Sequence, residues 1–459
     1  MKFKPVLPLW PHQKEAVKRL WREGSLLLWH DVGTGKTRTA VTYADARVQA
    51  GQVYRVMVVG PLASIGVWED EFRAHGWQNI LTRNDVDRLA DLPKRAEKLP
   101  CPCAVIVTYQ SINKTIRFWC DKWRPDLVII DESQAMRHYR SQRTRRLLAL
   151  ARSAPYRVLL SGTPAPNGYV DLFWQAHAIQ PGALAANMNE FRSQFCIMGG
   201  YYDKEIVGYR NERALAERVA KIAHRAEKSL LRLPPVIDQT VPVALDDKAL
   251  RAYRSLRDEL VWELEDGQAI DAPNQLVLLT RLLQLTGGFL DGQPIGQQPK
   301  LQALEDLVQS YPQGEKLVVF AHYLPEIKAI VERLQKLLGR TAVGAITGSV
   351  TGKDRDALIR RFQNESDPSV LVIQTQAGGI SITLTAASTA IFYSLDYNSE
   401  TYEQARGRIH RGGQQRTCHY IHLLARDTID ETVYRAVQSK VSRQQALGML
   451  VKALTRRKG

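Results

Sequence analysis

Continuous apolar runs recur along the first half of the chain, and each ends at a cluster of polar or glycine residues. Short apolar runs separated by helical stretches predict strands of a parallel sheet that helices cover on both faces. Because α/β sheets place ligands at the carboxyl ends of their strands, the polar clusters form the candidate site. The runs lie at 26–29, 56–59, 105–107, 127–130 and 158–160.

The first apolar run leads into a loop with two glycines, followed by residues that can begin a helix. Backbone N–H groups of such a turn wrap phosphate groups at a helix N-terminus. Gly33, Thr34 and Gly35 would line the phosphates. Lys36 would reach the β- and γ-phosphates of ATP, and the Thr37 hydroxyl would ligate Mg²⁺. A glycine-rich turn without a ligand is the alternative.

A helix is predicted immediately before this loop. Residues 14–20 have helical spacing, and Pro11 suits the first helical turn. The side-chain amide of Gln13 offers a donor and an acceptor that match the edge of adenine. An ordinary helix start is the alternative, so the position of Gln13 before the loop is what makes it a candidate.

The second chemical cluster is the acidic pair that follows the run at 127–130. Asp131 would hold Mg²⁺ through a water, and Glu132 would polarise the water that attacks ATP. A cap at the end of a strand is the alternative. The pair follows a phosphate loop at a conventional distance, which favours the catalytic interpretation.

Apolar runs at 317–320, 371–375 and 390–394 predict a second sheet, which has no phosphate loop of its own. Arg408 and Arg411 are three residues apart, so one helix face would present both guanidinium groups. An arginine finger accelerates phosphoryl transfer by about 10³- to 10⁵-fold. A solvated arginine-rich helix is the alternative.

Length and charge add a domain count and a class of partner. A chain of 459 residues is expected to form two or three domains. Its net charge of +16 indicates a polyanionic partner such as nucleic acid, or a generally basic surface. A row of arginines after the acidic pair could border a phosphate backbone, and a solvated helix face is the alternative. These arginines lie at 137, 140, 143, 145 and 146.

Location is predicted from what the sequence does not contain. No apolar run approaches the length that crosses a bilayer, so no membrane association is expected. The five cysteines form no paired C-x-x-C set, which favours reduced thiols. We therefore expect a cytoplasmic protein, of a bacterium or of a virus acting in its host's cytoplasm.

The order of these motifs resembles the Snf-type DNA translocases of helicase superfamily two. Residues 33–37, 61–72, 107–112, 131–134 and 161–167 resemble lobe one of that family, and 404–414 resemble its sixth motif. The chain departs from the pattern at three places. His30 occupies the position of the first glycine in the usual phosphate loop. Ser133 and Gln134 replace the Ala-His that usually ends the acidic motif, and Gln376 replaces a basic residue of the family's fifth motif.

The resemblance implies an α/β fold of two RecA-like parallel-sheet lobes, with short helical insertions and an ATP cleft between the lobes. Lobe one would span 1–233 with a helical insertion at about 165–233. Lobe two would span 234–459, with a helical lead-in segment at about 245–295 and brace helices at about 428–459. Gln404 would join the nucleotide-binding residues.

The resemblance also implies a function, namely ATP-dependent translocation along double-stranded DNA by a monomer. Such a motor would remodel protein–DNA complexes, displacing a DNA-bound protein, or DNA structures in replication, repair or recombination. A strand-separating DNA or RNA helicase is one alternative. A nucleic-acid-binding module with an inactive ATP site is another, although intact Lys36, Asp131, Glu132 and Arg411 argue against it.

Overall fold

Two compact units make up the chain in the computed structural model. They span Met1–Arg232 and Leu233–Gly459, a division one residue before the predicted boundary. Of the predicted features, Arg140 and the end of the 161–167 motif lie outside the described residues. The structure describes residues 4–86, 88–139, 141–165, 168–199, 205–231, 233–265, 272–350, 352–376, 382–439 and 449–450.

The first unit is centred on one parallel sheet. The strands of this unit are β1 Ser25–His30, β2 Arg55–Gly60, β3 Ile80–Thr82, β4 Cys103–Thr108, β5 Leu127–Ile130, β6 Tyr156–Ser161, β7 Cys196–Gly199, β8 Glu205–Tyr209 and β9 Ala223–Ala226. The sheet has the order β3-β4-β2-β5-β6-β1-β9, and all of its pairs are parallel. All five apolar runs of the first half are confirmed as its strands.

Helices cover both faces of this sheet, which explains why its strands are apolar throughout. In β5, Val128 and Ile130 pack into the core on one face, while Leu127 and Ile129 pack into the core on the other. The helices are α1 Pro11–Glu23, α2 Lys36–Gln49, α3 Ile65–Ala74, α4 Asp91–Glu97, α5 Tyr109–Arg117, α6 Gln142–Ser153, α7 Leu172–Ile179, α8 Met188–Phe195 and α9 Glu212–Ile222.

The predicted helical insertion at 165–233 is only partly helical. Strands β7 and β8 form an antiparallel hairpin within it, and β9 joins the main sheet beside β1. The hydrophobic pattern missed β9 because it is an edge strand whose middle residues are His224 and Arg225. A strand with one neighbour tolerates polar residues that a central strand excludes.

The second unit contains another parallel sheet. Its strands are β10 Val236–Val243, β11 Phe289–Leu290, β12 Gln293–Pro294, β13 Leu317–Ala321, β14 Val343–Ile346, β15 Val370–Gln374, β16 Thr389–Phe392 and β17 Cys418–Ala425. Six of these strands form the order β10-β17-β16-β13-β15-β14, while β11 and β12 make a short antiparallel pair. The sequence predicted β13, β15 and β16 but not β10, β14 or β17.

The remaining helices lie around this second sheet. The predicted lead-in segment contains α10 and α11, and the predicted brace begins with α16 and continues beyond the described residues. No helix among the described residues is both long and apolar enough to cross a bilayer. Two helix-covered parallel sheets confirm the predicted fold class. These helices are α10 Asp247–Glu265, α11 Ala272–Thr286, α12 Pro299–Gln309, α13 Leu324–Leu338, α14 Gly352–Asn364, α15 Ser399–Arg406 and α16 Ile429–Gln438.

Candidate active site

The glycine-rich loop joins β1 to α2 at the carboxyl edge of the first sheet. Gly33 has φ 89° and Gly35 has φ 77°, a region that residues with a side chain rarely adopt. Thr34 is buried, and its hydroxyl donates to the Asp31 carbonyl at 2.7 Å. The helix begins at Lys36, so its first N–H groups and positive end face the loop, as a phosphate site requires.

The side chain of Lys36 folds back over this loop. Its ammonium donates to the carbonyl oxygens of His30, at 2.7 Å, and Asp31, at 3.2 Å. Phosphate oxygens carry more negative charge than carbonyl oxygens and would compete for the ammonium. Thr37 lies half-buried in the first turn of α2, where its hydroxyl is predicted to meet Mg²⁺.

Helix α1 holds the opposite side of the loop. The ring nitrogen Nε2 of His12 lies 2.9 Å from the Thr34 carbonyl, and Nε2 of Gln13 donates to the Gly35 carbonyl at 3.1 Å. Oε1 of Gln13 accepts from the backbone N–H of Trp10 at 2.8 Å. The structure therefore brings Gln13 to the loop, and its contact with adenine remains a prediction.

Strand β9 braces the start of the loop. Nε2 of His30 lies 2.9 Å from Nδ1 of His224, and burial lowers the pKa of His30 to about 2, so its ring is neutral. The backbone N–H of Asp31 donates to the Ala226 carbonyl, and the Asp31 carboxylate accepts from the backbone N–H of Lys228, both at 2.9 Å. The residue that replaces the usual glycine thus serves as an anchor.

Asp131 follows β5 at the same edge of the sheet. One carboxylate oxygen accepts from the indole N–H of Trp68 at 2.9 Å, and the other accepts from the backbone N–H of Glu132 at 3.0 Å. Burial, and then the charge of Glu132, raise the pKa of Asp131 to about 6. A cation beside this carboxylate would favour its charged form, which suits the predicted role.

Glu132 has a backbone conformation that is unusual for a residue with a side chain. Its φ of 49° lies in the left-handed region, at a cost of about 1–3 kcal/mol that structures tolerate chiefly at functional sites. Tyr109 secures this turn, because its hydroxyl donates to the carbonyls of Asp131 and Glu132, the latter at 3.1 Å. The strained turn places the Glu132 carboxylate next to Gln134.

The two residues that replace Ala-His connect the acidic pair to the end of β6. The amide nitrogen of Gln134 donates to the Glu132 carboxylate at 2.8 Å, and its oxygen accepts from the Ser161 hydroxyl at 2.6 Å. The Ser133 hydroxyl donates to Gln175 at 2.7 Å, and Gln175 donates to the Pro164 carbonyl at 2.7 Å. Sequence reasoning missed these bridging roles, and only the departure from Ala-His pointed to them.

The donor set fits MgATP. Among the described residues, no three His, Cys, Asp or Glu side chains cluster as a protein-only metal site would need. Mg²⁺ usually takes one or two carboxylates together with substrate phosphates. Asp131 and Thr37 would hold the ion here, and when bound it would neutralise charge that develops on the phosphates.

The predicted shared helix face of Arg408 and Arg411 is wrong. Helix α15 ends at Arg406, and Gly407 follows as its C-terminal cap, so both arginines lie in the turns beyond it. Glycine favours helix ends because it pays the largest entropic cost inside a helix. Gln404 does lie in α15. Contacts of these three residues with a nucleotide remain predictions.

Both of these arginines are partly or fully withdrawn from solvent. Arg408 is buried, while the Arg411 guanidinium donates to the Ile382 carbonyl at 3.0 Å. Burial lowers the pKa of Arg411 to about 10, so the group still carries its charge at neutral pH. The side-chain nitrogen of Gln376, which replaces a basic residue, lies 3.1 Å from Nε2 of His322.

The predicted arginine row after the acidic pair is only partly exposed. Arg143 and Arg145 are exposed, and the Arg143 guanidinium lies 5.3 Å from the centre of the Tyr109 ring. Arg137 and Arg146 are half-buried, and Arg137 donates to the Gln134 carbonyl at 2.9 Å. Both predicted alternatives, a DNA contact and a solvated face, therefore remain open.

Comparison with protein families identifies the chain. The model of the SNF2-related domain matches residues 12–286, more than half of the sequence. The chain belongs to the SNF2-related family. A second model, the helicase conserved C-terminal domain, matches residues 299–413. Family membership makes the protein a helicase-like ATPase and confirms the predicted resemblance and enzyme class.

Curated members of the SNF2-related family are similar over nearly the whole chain. The "DNA annealing helicase and endonuclease ZRANB3" of Bos taurus is 25% identical over 447 residues, covering 94% of this chain and 40% of the relative. A Caenorhabditis elegans homolog of "SWI/SNF-related matrix-associated actin-dependent regulator of chromatin subfamily A-like protein 1" is 26% identical, covering 94% and 61%. The chain thus spans about two to three fifths of these relatives.

A solved structure is also similar to this SNF2-related chain. It is the "Sulfolobus solfataricus SWI2/SNF2 ATPase core in complex with dsDNA", with a TM-score of 0.45 and 20% sequence identity. The similarity covers 99% of this chain and 96% of the Sulfolobus chain.

Proposed function

We propose that this SNF2-related ATPase is a translocase that moves along double-stranded DNA. Its work would be to remodel protein–DNA complexes or DNA structures during replication, repair or recombination. The observation that carries the proposal is the continuous link in the first unit from Glu132 through Gln134 to Ser161. A motor must pass the state of its nucleotide to other parts of the molecule, and this link begins at the predicted hydrolytic carboxylate.

The residues of the first unit divide the chemistry among them. Lys36 and the loop at 33–35 would bind the phosphates, and Glu132 would orient and deprotonate the attacking water. Asp131 is held by Trp68 and by the backbone of Glu132, so little reorganisation is needed when Mg²⁺ arrives with ATP. ATP and Mg²⁺ are accordingly the proposed substrate and cofactor.

The net charge and the similarity to a DNA-acting relative support DNA as the substrate of translocation. The net charge of +16 suits a partner that carries one phosphate per nucleotide. The cattle relative is named a DNA annealing helicase, although this chain covers only 40% of it. Contacts to the sugar–phosphate backbone carry little sequence information, so we expect weak sequence preference and steep weakening by salt.

The experiment compares nucleic acids as activators of ATP turnover. Wild-type protein is assayed with no nucleic acid, single-stranded DNA, duplex DNA and RNA, and Lys36→Ala serves as the inactive control. Duplex DNA is expected to give the strongest stimulation, falling linearly in log turnover against log salt at subsaturating DNA. Stimulation by RNA alone would remove DNA from the proposal.

Translocation is then separated from strand separation. The same enzyme receives a triplex, whose third strand lies in the major groove, and a forked duplex with the same sequence. A translocase on intact duplex displaces the third strand and leaves the fork paired. Efficient fork unwinding without triplex displacement would overturn the proposal and favour a strand-separating helicase.

A further inference from the structure

The stretch after the acidic pair is strongly basic. Residues 133–170 contain no aspartate, glutamate or lysine, and their seven arginines lie at 137, 140, 143, 145, 146, 152 and 157. Helix α6 carries four of them, and Arg143, Arg145 and Arg152 are exposed. Among the described residues, no carboxylate forms an ion pair with these three side chains. The surface of α6 therefore presents positive charge to solvent.

Helix stability does not explain these charges. Arg143 lies in the first turn of α6 and Arg145 follows it, at the end of a helix where cations are unfavourable. The helix contains no acidic residue that could pair with them at a spacing of four, as solvated helix faces commonly do. An anionic partner would offset both effects, which a solvated face does not.

A pair of stacked aromatic rings lies next to this helix. The ring centroids of Tyr139 and Trp174 are 4.4 Å apart, and the rings are 22° from parallel. Trp174 belongs to α7 and packs against the core of the first unit, while Tyr139 is 50% exposed. Because one face of the Tyr139 ring rests on Trp174, a further flat ring can stack on the other face.

Arg152 continues this row of contacts along α6 and α7. Its Nη2 atom donates to Nε2 of His177 at 2.8 Å, and the His177 ring centroid is 5.7 Å from that of Trp174. Burial, and then the charge of Arg152, lower the pKa of His177, so the ring is neutral and accepts this bond. The exposed guanidinium is thus held in place. Tyr139, Trp174, His177, Arg152 and Arg145 are called the α6–α7 surface below.

We propose that the α6–α7 surface binds an unpaired DNA strand, with a base stacked on Tyr139 and phosphates on Arg145 and Arg152. Proteins that bind single strands combine positive charge along the backbone with aromatic rings on which bases stack. The bases of an intact duplex stack on one another, so their faces are not accessible to the ring. The inference goes beyond the proposed function, whose track is intact duplex, and only the choice of DNA over RNA rests on that function.

The test is equilibrium binding to the full chain without nucleotide. A fluorescently labelled oligothymidylate and a blunt DNA duplex with the same number of phosphates are titrated into wild type, Tyr139→Ala and Tyr139→Phe. Tyr54→Ala is the matched control, because Tyr54 is 52% exposed but precedes β2 at the opposite edge of the sheet. Circular dichroism and thermal unfolding establish that each variant is folded.

Tyr139→Ala should bind the oligothymidylate about tenfold more weakly, within the range found for one stacked base. Duplex affinity should stay unchanged, because no base of the duplex reaches the ring. Tyr139→Phe keeps an aromatic face and should bind almost as tightly as wild type. The control Tyr54→Ala should change neither affinity.

The arginines are tested through the salt dependence of the same binding. Each phosphate contact on a single strand contributes about 0.7 to the slope of log affinity against log salt. Arg145→Gln and Arg152→Gln should each reduce the slope for the oligothymidylate by about that amount. Arg22→Gln is the matched control, because it removes an equal charge from an exposed arginine that pairs with Glu23 at 2.9 Å, and the slope should not change.

Equal weakening of oligothymidylate and duplex by Tyr139→Ala would overturn the proposal, because the ring would then support a surface that binds backbone and not bases. No effect of Tyr139→Ala on either DNA would overturn it as well. Binding of an oligouridylate without binding of the oligothymidylate would assign the surface to RNA. ATP turnover is not measured in this test, so a lack of DNA-stimulated turnover would contradict only the proposed function.

Discussion

The Ser161 hydroxyl donates to the side-chain oxygen of Gln134 at 2.6 Å, while the nitrogen of the same amide donates to Glu132 at 2.8 Å. Ser161 also accepts from the backbone N–H of Thr163 at 3.1 Å. One amide therefore joins the candidate catalytic carboxylate to the loop that follows β6. A change in the charge or position of Glu132 has a direct route to that loop.

Breaking this bridge should reduce nucleic-acid-stimulated turnover more than nucleotide affinity. Gln134→Ala removes the bonds to Glu132 and Ser161, whereas Ser161→Ala removes only the second of these. Each bond is worth about 0.5–1.5 kcal/mol, so about a tenfold loss of stimulated turnover is the upper expectation for Ser161→Ala, and a larger loss is expected for Gln134→Ala. Because Gln134→Ala already removes the bond to Ser161, the double variant should lose no more than Gln134→Ala alone. Additive losses in this double-mutant cycle would mean that the two residues act separately.

Lys36→Ala should abolish ATP turnover and leave the protein folded. The ammonium is the point charge that the loop offers to phosphate, and it donates to the carbonyls of His30 and Asp31 in the structure. We expect turnover to fall at least hundredfold, with less than about 1 kcal/mol change in unfolding free energy. Steady-state turnover and urea unfolding measure the two effects. A folded variant with near-normal turnover would contradict the assignment of the loop.

Trp68→Phe should raise the Mg²⁺ concentration that half-maximal turnover requires. The indole N–H of Trp68 holds one oxygen of the Asp131 carboxylate, and phenylalanine keeps a buried ring but removes that donor. A hydrogen bond to a charged group contributes about 1.5–3 kcal/mol, so a severalfold to tenfold increase is expected. Turnover measured across a Mg²⁺ series at saturating ATP gives the value.

Trp119→Phe is the matched control for that substitution. Trp119 is equally buried in the first unit, but its indole N–H donates to the Thr115 hydroxyl at 2.8 Å. Both variants lose a similar volume and one donor, and only Trp68 contacts Asp131. The same Mg²⁺ requirement in both variants would show that general destabilisation, and not the Asp131 contact, explains the effect.

The first unit should become less stable in alkaline solution, because His75 loses its proton there. Burial alone would lower its pKa, but hydrogen bonds to Asp45 and Glu71 raise it to about 9, above the ordinary value of 6.5. Stabilisation from the protonated ring is therefore complete below about pH 6.5 and is lost as pH rises through 9. At about 1.4 kcal/mol per pKa unit, the contribution is at most about 3 kcal/mol.

Urea unfolding between pH 6 and pH 10 measures this contribution against His75→Gln, which cannot titrate. The variant should be less stable than wild type near neutral pH, and the difference should shrink toward pH 10. His138→Gln, at an exposed position, is the control and should leave the pH profile unchanged. A difference that stays constant with pH would mean that His75 contributes through packing alone.

The strands that were predicted from sequence are those that helices cover on both faces. Strands such as β5 are buried on both faces, so every residue must be apolar and the run is visible. Strand β9 lies at an edge, and β17 includes His419 and His422, so neither shows an uninterrupted apolar run. An apolar run in the sequence marks residues that are buried in the fold. The burial of an edge strand depends on neighbours that are distant in sequence, so a local pattern does not reveal it.

The candidate site was predictable where backbone chemistry dictates residue type. The loop at 33–37 needs two glycines because of their positive φ, and this need is visible in the sequence. The turn at Glu132 and the bridge by Gln134 depend on partners 20 to 30 residues away, which no local pattern reveals. Arg408 and Arg411 were misplaced because one glycine after Arg406 ended the helix.

The contacts between β9 and the phosphate loop affect the order in which the first unit can fold during synthesis. His30 and Asp31 leave the ribosome early, but their partners His224, Ala226 and Lys228 follow almost two hundred residues later. Until then β1 is the open edge of its sheet, with unpaired backbone groups that can recruit other chains. The phosphate loop is thus among the first parts of the unit to be synthesised, but it is among the last to gain all of its contacts.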